Sequence, residues 1–158
     1  MTVKVGVVLP RPQGDPGEWL SEAVAFEAAG ADALWVEHGA KPVLDPLTLA
    51  AALAAVTYRS MLVVAVVRDC DEHALETVER LSRGRLVLIT GPGESTAEGG
   101  RWVPVAVPSG RAAWRETLRQ AGERGDHGVL VPADPRLLDL LRNPDDPGGR
   151  HDLQLAQG

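Results

Sequence analysis

Residues 31–68, ADALWVEHGAKPVLDPLTLAAALAAVTYRSMLVVAVVR, decide the fold. The stretch reads as strand, loop, helix, strand. Ala33–Val36 is a short apolar strand that hands over to the charged and titratable pair Glu37-His38. Asp45-Pro46 starts a helix, because an Asp side chain accepts from free N–H groups and Pro fits the first helical position. Leu49, Ala52, Leu53 and Val56 share one face of that Ala-rich helix, which can sit close to a sheet. Residues 61–67 (MLVVAVV) are apolar throughout, as expected of a strand covered on both faces.

The same alternation extends outward. Residues 3–9 (VKVGVVL) form a first strand, ended by Pro10 and Pro12. Asp15-Pro16 opens a helix with Trp19, Leu20, Ala23, Val24 and Phe26 as its apolar stripe, stopped by Gly30. Asp71 caps a third helix with Leu75, Val78 and Leu81 as its face, ended by Gly84. Residues 86–89 (LVLI) form a fourth strand. Residues 90–102 (TGPGESTAEGGRW) lack a helical period and read as a loop. A fifth strand is expected at 103–107 and a sixth at 128–131. Between them lies a helix capped by Ser109, with Ala113, Trp114, Leu118 and Ala121 inside. Asp134-Pro135 opens a last helix over 136–142, and Asn143-Pro144 stops it.

Apolar strands alternating with amphipathic helices give an α/β fold with a parallel sheet and outer helices. Two architectures fit: a truncated (β/α) barrel of about six strands, or an open doubly wound sheet. The first strand-to-helix turn lacks G-x-G-x-x-G, and no P-loop pattern occurs, which argues against nucleotide-binding doubly wound folds. The expected organisation is one domain over 1–144, shortened at 90–102, and a polar tail over 145–158.

The chain has 158 residues, 44% hydrophobic and 24% charged, enough for one sizeable core. Its net charge of −6 and pI near 5.2 argue against nucleic acid or an anionic membrane as the main partner. The single cysteine, Cys70, excludes an intrachain disulfide and a thiolate metal cage. No apolar run approaches the ~20 residues of a membrane helix. The N-terminus lacks a signal-like segment, so a cytoplasmic protein is expected.

Three segments resemble the bacterial-luciferase-like monooxygenases. Residues 27–38 (EAAGADALWVEH) look like that family's helix-to-strand segment ending in an acidic-His pair. Residues 45–59 look like its next helix, and 77–89 (TVERLSRGRLVLI) like its helix, S-x-G-R-L turn and strand. Residues 103–132 are similar to a late strand, helix and strand, with Gly125-Asp126-His127-Gly128 in place of a GDGW turn. The resemblance implies a (β/α) barrel using FMN or a deazaflavin coenzyme on a small organic substrate. A full barrel of this kind has eight strands over ~250 residues. Residues 90–102 therefore replace a long middle section, and the barrel is open, closed with fewer strands, or completed by a partner.

Ligands of parallel barrels bind at the C-terminal ends of the strands. His38 is the candidate acid/base or ring-contacting group, with Glu37 orienting it. Arg68, Thr90 and Gly91 sit where the third and fourth strands end and are candidate cofactor contacts. Ser109-Gly110-Arg111 opens a helix and forms a candidate phosphate seat. Three functions are weighed: a flavin or deazaflavin oxidoreductase, a non-redox binding barrel working as a homodimer, and cofactor-free acid/base chemistry by Glu37-His38. Asp69, Cys70, Asp71, Glu72 and His73 crowd together in sequence, but Asp71 serves better as a helix cap than as a metal ligand, and no metal is expected. Arg111, Arg115 and Arg119 make a basic stripe read as a solvated face beside Glu116 and Glu123. Trp19, Trp35 and Trp114 fall at core-facing positions, whereas Trp102, in the expected loop, is a candidate interface residue.

Overall fold

A computed structural model describes residues 2–37, 44–66, 70–90 and 96–143. Seven strands and five helices follow one another: β1 (Lys4–Leu9), α1 (Pro16–Ala29), β2 (Ala33–Val36), α2 (Pro46–Val56), β3 (Met61–Val66), α3 (Glu72–Ser82), β4 (Leu86–Thr90), β5 (Thr96–Ala97), β6 (Gly100–Pro104), α4 (Arg111–Glu123), β7 (Gly128–Pro132) and α5 (Pro135–Arg142). Asp15, Asp45 and Asp134 each accept a backbone N–H of the helix they precede, at 2.8 Å, and a Pro follows each.

The hydrogen-bonded order is β4-β3-β2-β1-β7-β6-β5. Every pair is parallel except β5 with β6. Read as a ring, this order is the sequence order, with the first strand beside the last. Among the described residues, a single pairing, β4 with β5, is missing from a closed circle.

Burial supports a nearly closed barrel. Alternate strand residues such as Val7, Leu34, Leu62 and Val129 pack with Phe26, Leu53, Trp114 and Leu137 of the helices. The opposite face forms its own core from strand residues: Ala33, Trp35, Met61, Val63, Ile89, Ala97, Trp102 and Leu130. Ile89 of β4 and Ala97 of β5 belong to this one cluster although they come from opposite ends of the hydrogen-bonded order. A doubly wound sheet would cover that face with helices; here the face packs on itself.

Two glycines make the interior possible. A Cβ on Gly128 would lie 2.4 Å from Trp102 Cζ3, and one on Gly6 would lie 2.8 Å from Leu130 Cδ2 and 3.1 Å from Trp35 Nε1. With those positions empty of side chain, Trp35 and Trp102 fit across the barrel with ring centroids 5.8 Å apart.

Five expectations change. The fifth strand is not 103–107 but β6, Gly100–Pro104, because Trp102 locks its register by lying over Gly128. Trp102 is therefore fully buried and not a loop or interface residue. The expected loop 90–102 contains the short strand β5 and a two-residue hairpin turn, Glu98-Gly99, with φ of 53° and 71°. Both residues are left-handed, the pattern that matches strand twist in tight hairpins. Ser109 does not cap α4; Gly110 does, in extended backbone with no side-chain hydrogen bond. Leu81 and Val24, expected inside, are 44% and 39% exposed.

Candidate functional site

The C-terminal ends of β1, β2, β6 and β7 surround a cleft of about 380 Å³. Its walls are Val8 and Pro10 from the end of β1, Glu37 just beyond β2, Pro104 and Val105 at the end of β6, and Leu130, Pro132 and Ala133 at the end of β7. Val8 and Leu130 also belong to the interior core, so the cleft is the upper end of the barrel interior. Among the described residues, the lining side chains are apolar apart from that of Glu37.

Local hydrogen bonds fix these walls. Trp19 Nε1 donates to Pro10 O at 2.5 Å, anchoring the end of β1 to α1. Ala133 N donates to Val8 O at 3.0 Å and Val105 N to Leu130 O at 2.9 Å, extending the ladders past the strand ends. Glu37 N donates to Leu9 O at 2.9 Å, leaving its exposed side chain at the rim.

Arg11, which no motif singles out, organises the rim. Its Nε donates to Glu37 O at 2.9 Å and its Nη1 to Leu44 O at 3.0 Å. One planar guanidinium thus ties the two residues that bracket 38–43. The signal available in the sequence was an Arg directly after a strand-ending Pro, beside the end of a neighbouring parallel strand.

Of the candidate residues, Glu37 lines the cleft. His38, Arg68 and Gly91 lie outside the described residues. Thr90 closes β4, in register with Val66. Ser109 is exposed, and Gly110 leaves the first N–H groups of α4 without a side-chain cap. The Arg111 guanidinium is engaged by α5: Nη2 donates to Asp139 Oδ2 at 2.7 Å and Nε to Asn143 O at 3.3 Å. A cation at the C-terminal end of α5 also complements that helix's dipole. Farther along α4, Arg119 pairs with Glu116 and Glu123 on an exposed face, and its hydrogen bonds hold the Glu116 carboxyl down at about 2.

Asp71 caps α3 by accepting from His73 N at 3.1 Å. Among the described residues, no group of three or more His, Cys, Asp or Glu is placed to hold a metal ion. Nor is any described helix long and apolar enough to cross a membrane.

Neither a scan against protein-family models nor a search of curated proteins found a match for this chain.

Proposed function

We propose that the chain is a shortened luciferase-like (β/α) barrel, an oxidoreductase homologue that takes the ring of a reduced flavin or deazaflavin into the cleft. The observation that carries this reading is the cleft itself. It lies at the strand ends where parallel barrels bind ligands, and its volume of about 380 Å³ falls in the range of small-ligand pockets. Apolar walls from four neighbouring strand ends suit one face of a flat ring, and the uncapped N–H groups of α4 suit a phosphate. The phosphate contact then comes from backbone, since Arg111 is held by Asp139. When bound, such a cofactor supplies hydride or electron transfer. The chain's own residues exclude water from the ring face, position the rim through Arg11, and place the Glu37 carboxylate where it orients a substrate or exchanges a proton.

The test is a titration of purified protein with FMN and with a deazaflavin coenzyme, followed by absorbance and fluorescence. Binding is expected, and Ala133→Trp, which fills the cleft, should weaken it about tenfold or more. Failure of both cofactors to bind sinks the reading.

A second reading has one specific observation in its favour: Glu37 is the single titratable residue among the described residues that line the cleft. A non-redox barrel that binds an apolar small molecule needs no more than that. Its β4–β5 seam, where no ladder hydrogen bonds form among the described residues, is a place for a second copy to cover. Uptake of an apolar dye displaced by neither cofactor, together with a dimer in light scattering, distinguishes it.

A further inference from the structure

The barrel end opposite the cleft carries a surface that the reading above leaves unused. There the connection between α2 and β3 is held from within on both sides. The buried carboxylate of Glu27 accepts N–H groups of Tyr58 at 2.8 Å, Arg59 at 3.0 Å and Ser60 at 2.8 Å. Arg85 donates to Ala54 O, Thr57 O, Thr57 Oγ1 and Ser60 O at 2.9–3.2 Å. A loop pinned this way presents its outward side chains in one arrangement, so little ordering is left for a partner to impose.

Those side chains are Tyr58, 69% exposed, and Arg59, also exposed. Beside Tyr58, a groove of about 230 Å³ runs between the C-terminal ends of α2 and α3, with Ala54, Ala55, Leu81 and Arg83 in its walls. Arg85 lines both this groove and an adjoining hollow that holds Arg59 together with Lys4, Asp32 and Glu98. An exposed Tyr and Leu on a fixed loop and helix end, framed by Arg, is the composition of an interface centre.

The charges select the partner. Arg80 is paired with Glu76, and Arg85 is turned inward. Arg59 and Arg83 make no side-chain hydrogen bond or ion pair among the described residues; Arg83 lines the groove, and Arg59, next to Tyr58 in the chain, lines the adjoining hollow. Two exposed Arg without such a partner thus stand here on a chain of net charge −6, while Glu98 in the adjoining hollow is paired with Lys4 and Asp32 accepts Val5 N. A two-fold contact between copies through this patch would set Arg against Arg, which disfavours a second copy. We propose that this groove docks an acidic protein segment carrying one apolar side chain. The apolar group lies against Tyr58 and Leu81, and the carboxylates lie against Arg59 and Arg83.

Tyr58 is the chain's single tyrosine, so full-length protein labelled with 3-fluorotyrosine gives one fluorine resonance, at the groove. The probe is a synthetic peptide of Asp and Glu flanking one Leu. The expected result is a saturable shift of that resonance and a rise in anisotropy of the labelled peptide. Tyr58→Ala, Arg59→Glu and Arg83→Glu should each weaken binding about tenfold, as should exchanging the peptide's Leu for Ser. All three protein positions are exposed, and an unchanged circular dichroism spectrum confirms the fold. No shift up to about millimolar peptide overturns the proposal, a range that covers weak transient contacts. So does an equal response to a Lys-rich peptide, an oligouridine RNA or phosphatidylserine vesicles, or binding indifferent to all three substitutions.

Discussion

The carboxylate of Glu27, on α1, accepts the backbone N–H of Ser60, just ahead of β3, at 2.8 Å. The same carboxylate takes Tyr58 and Arg59, and Arg85 closes the circle by donating to Thr57 and Ser60. Asp32 adds a bond of 2.8 Å from Val5 N. Thus the three sequence segments 27–38, 45–59 and 77–89 meet at the N-terminal end of the barrel. In a (β/α) barrel that end holds the fold together, while ligands bind at the other.

Glu27 makes acid sensitivity a direct test of this joint. Burial pushes its carboxyl up, but the N–H groups of Ser60, Arg59 and Tyr58 outweigh that and hold it below the ordinary range. A lowered folded value means that its contribution is full above the unfolded carboxyl value of ~4.3 and is lost as pH falls through the folded value. Glu27→Gln should cost roughly 2–3 kcal/mol at neutral pH, the scale of charge-assisted hydrogen bonds. The loss of stability on acidification should then be smaller in the variant than in the parent. Urea unfolding at neutral pH and near pH 3.5, within the carboxyl titration range, measures both; parallel pH profiles would refute the assignment.

Much of this framework was legible because it repeats simple local physics. Asp-Pro set three helix starts, and unbroken apolar runs marked β1 to β4. What the sequence hid depends on contacts between distant residues. Trp102 looks solvent-bound beside Gly99, Gly100 and Arg101, until Gly128, distant in the chain, gives its ring a place. Leu81 has helical spacing but faces the gap between α2 and α3 instead of the sheet. At the cleft, the strand ends were legible as a face. The bond from Arg11 to Leu44 was not, because it joins residues 33 apart in sequence. His38 and Arg68 lie outside the described residues, so their part in the site rests on position in the chain.

Arg11 gives a second prediction. Its two donors grip Glu37 O and Leu44 O at 2.9 and 3.0 Å, a fork that an ammonium does not reproduce. Arg11→Met should lower stability by about 1–2 kcal/mol, with half-exposure keeping it below the buried-bond maximum. Arg11→Lys should recover less than half of that loss. If the cleft is the ligand site, both variants should also weaken ligand binding, because Glu37 lines it. Equal stability of Arg11→Lys and the parent would show that the bridge contributes little.

The hairpin turn offers a third test. Glu98 holds φ of 53° without being glycine, and its compensation is an ion pair with Lys4 at 3.1 Å, both side chains nearly half exposed. Such a pair is worth at most about 1 kcal/mol. Glu98→Asn, which tolerates the left-handed region and suits this turn, should be neutral or stabilising by up to ~1 kcal/mol. Glu98→Val, β-branched, should destabilise by at least ~1 kcal/mol. Thermal melts of the two variants rank them, and a reversed order would mean that the ion pair outweighs the backbone.

The interior makes the strongest demand on the barrel itself. Any side chain at Gly128 meets Trp102 Cε3 and Cζ3 at 2.4 Å and Lys4 O at 2.9 Å. Gly128→Ala should therefore cost about 3 kcal/mol, the upper part of the range for overpacking. Trp102→Leu alone should cost about 3 kcal/mol through the cavity it leaves. The double variant, however, should fall short of the sum by at least ~1 kcal/mol, because shrinking the ring makes room for the new methyl group. An open sheet with this face uncovered would let Trp102 swing aside, and Gly128→Ala would then cost only the small propensity change of a strand. Additive losses in the cycle would accordingly count against Trp102 being held over Gly128 by the residues on its other side, Trp35 and His127.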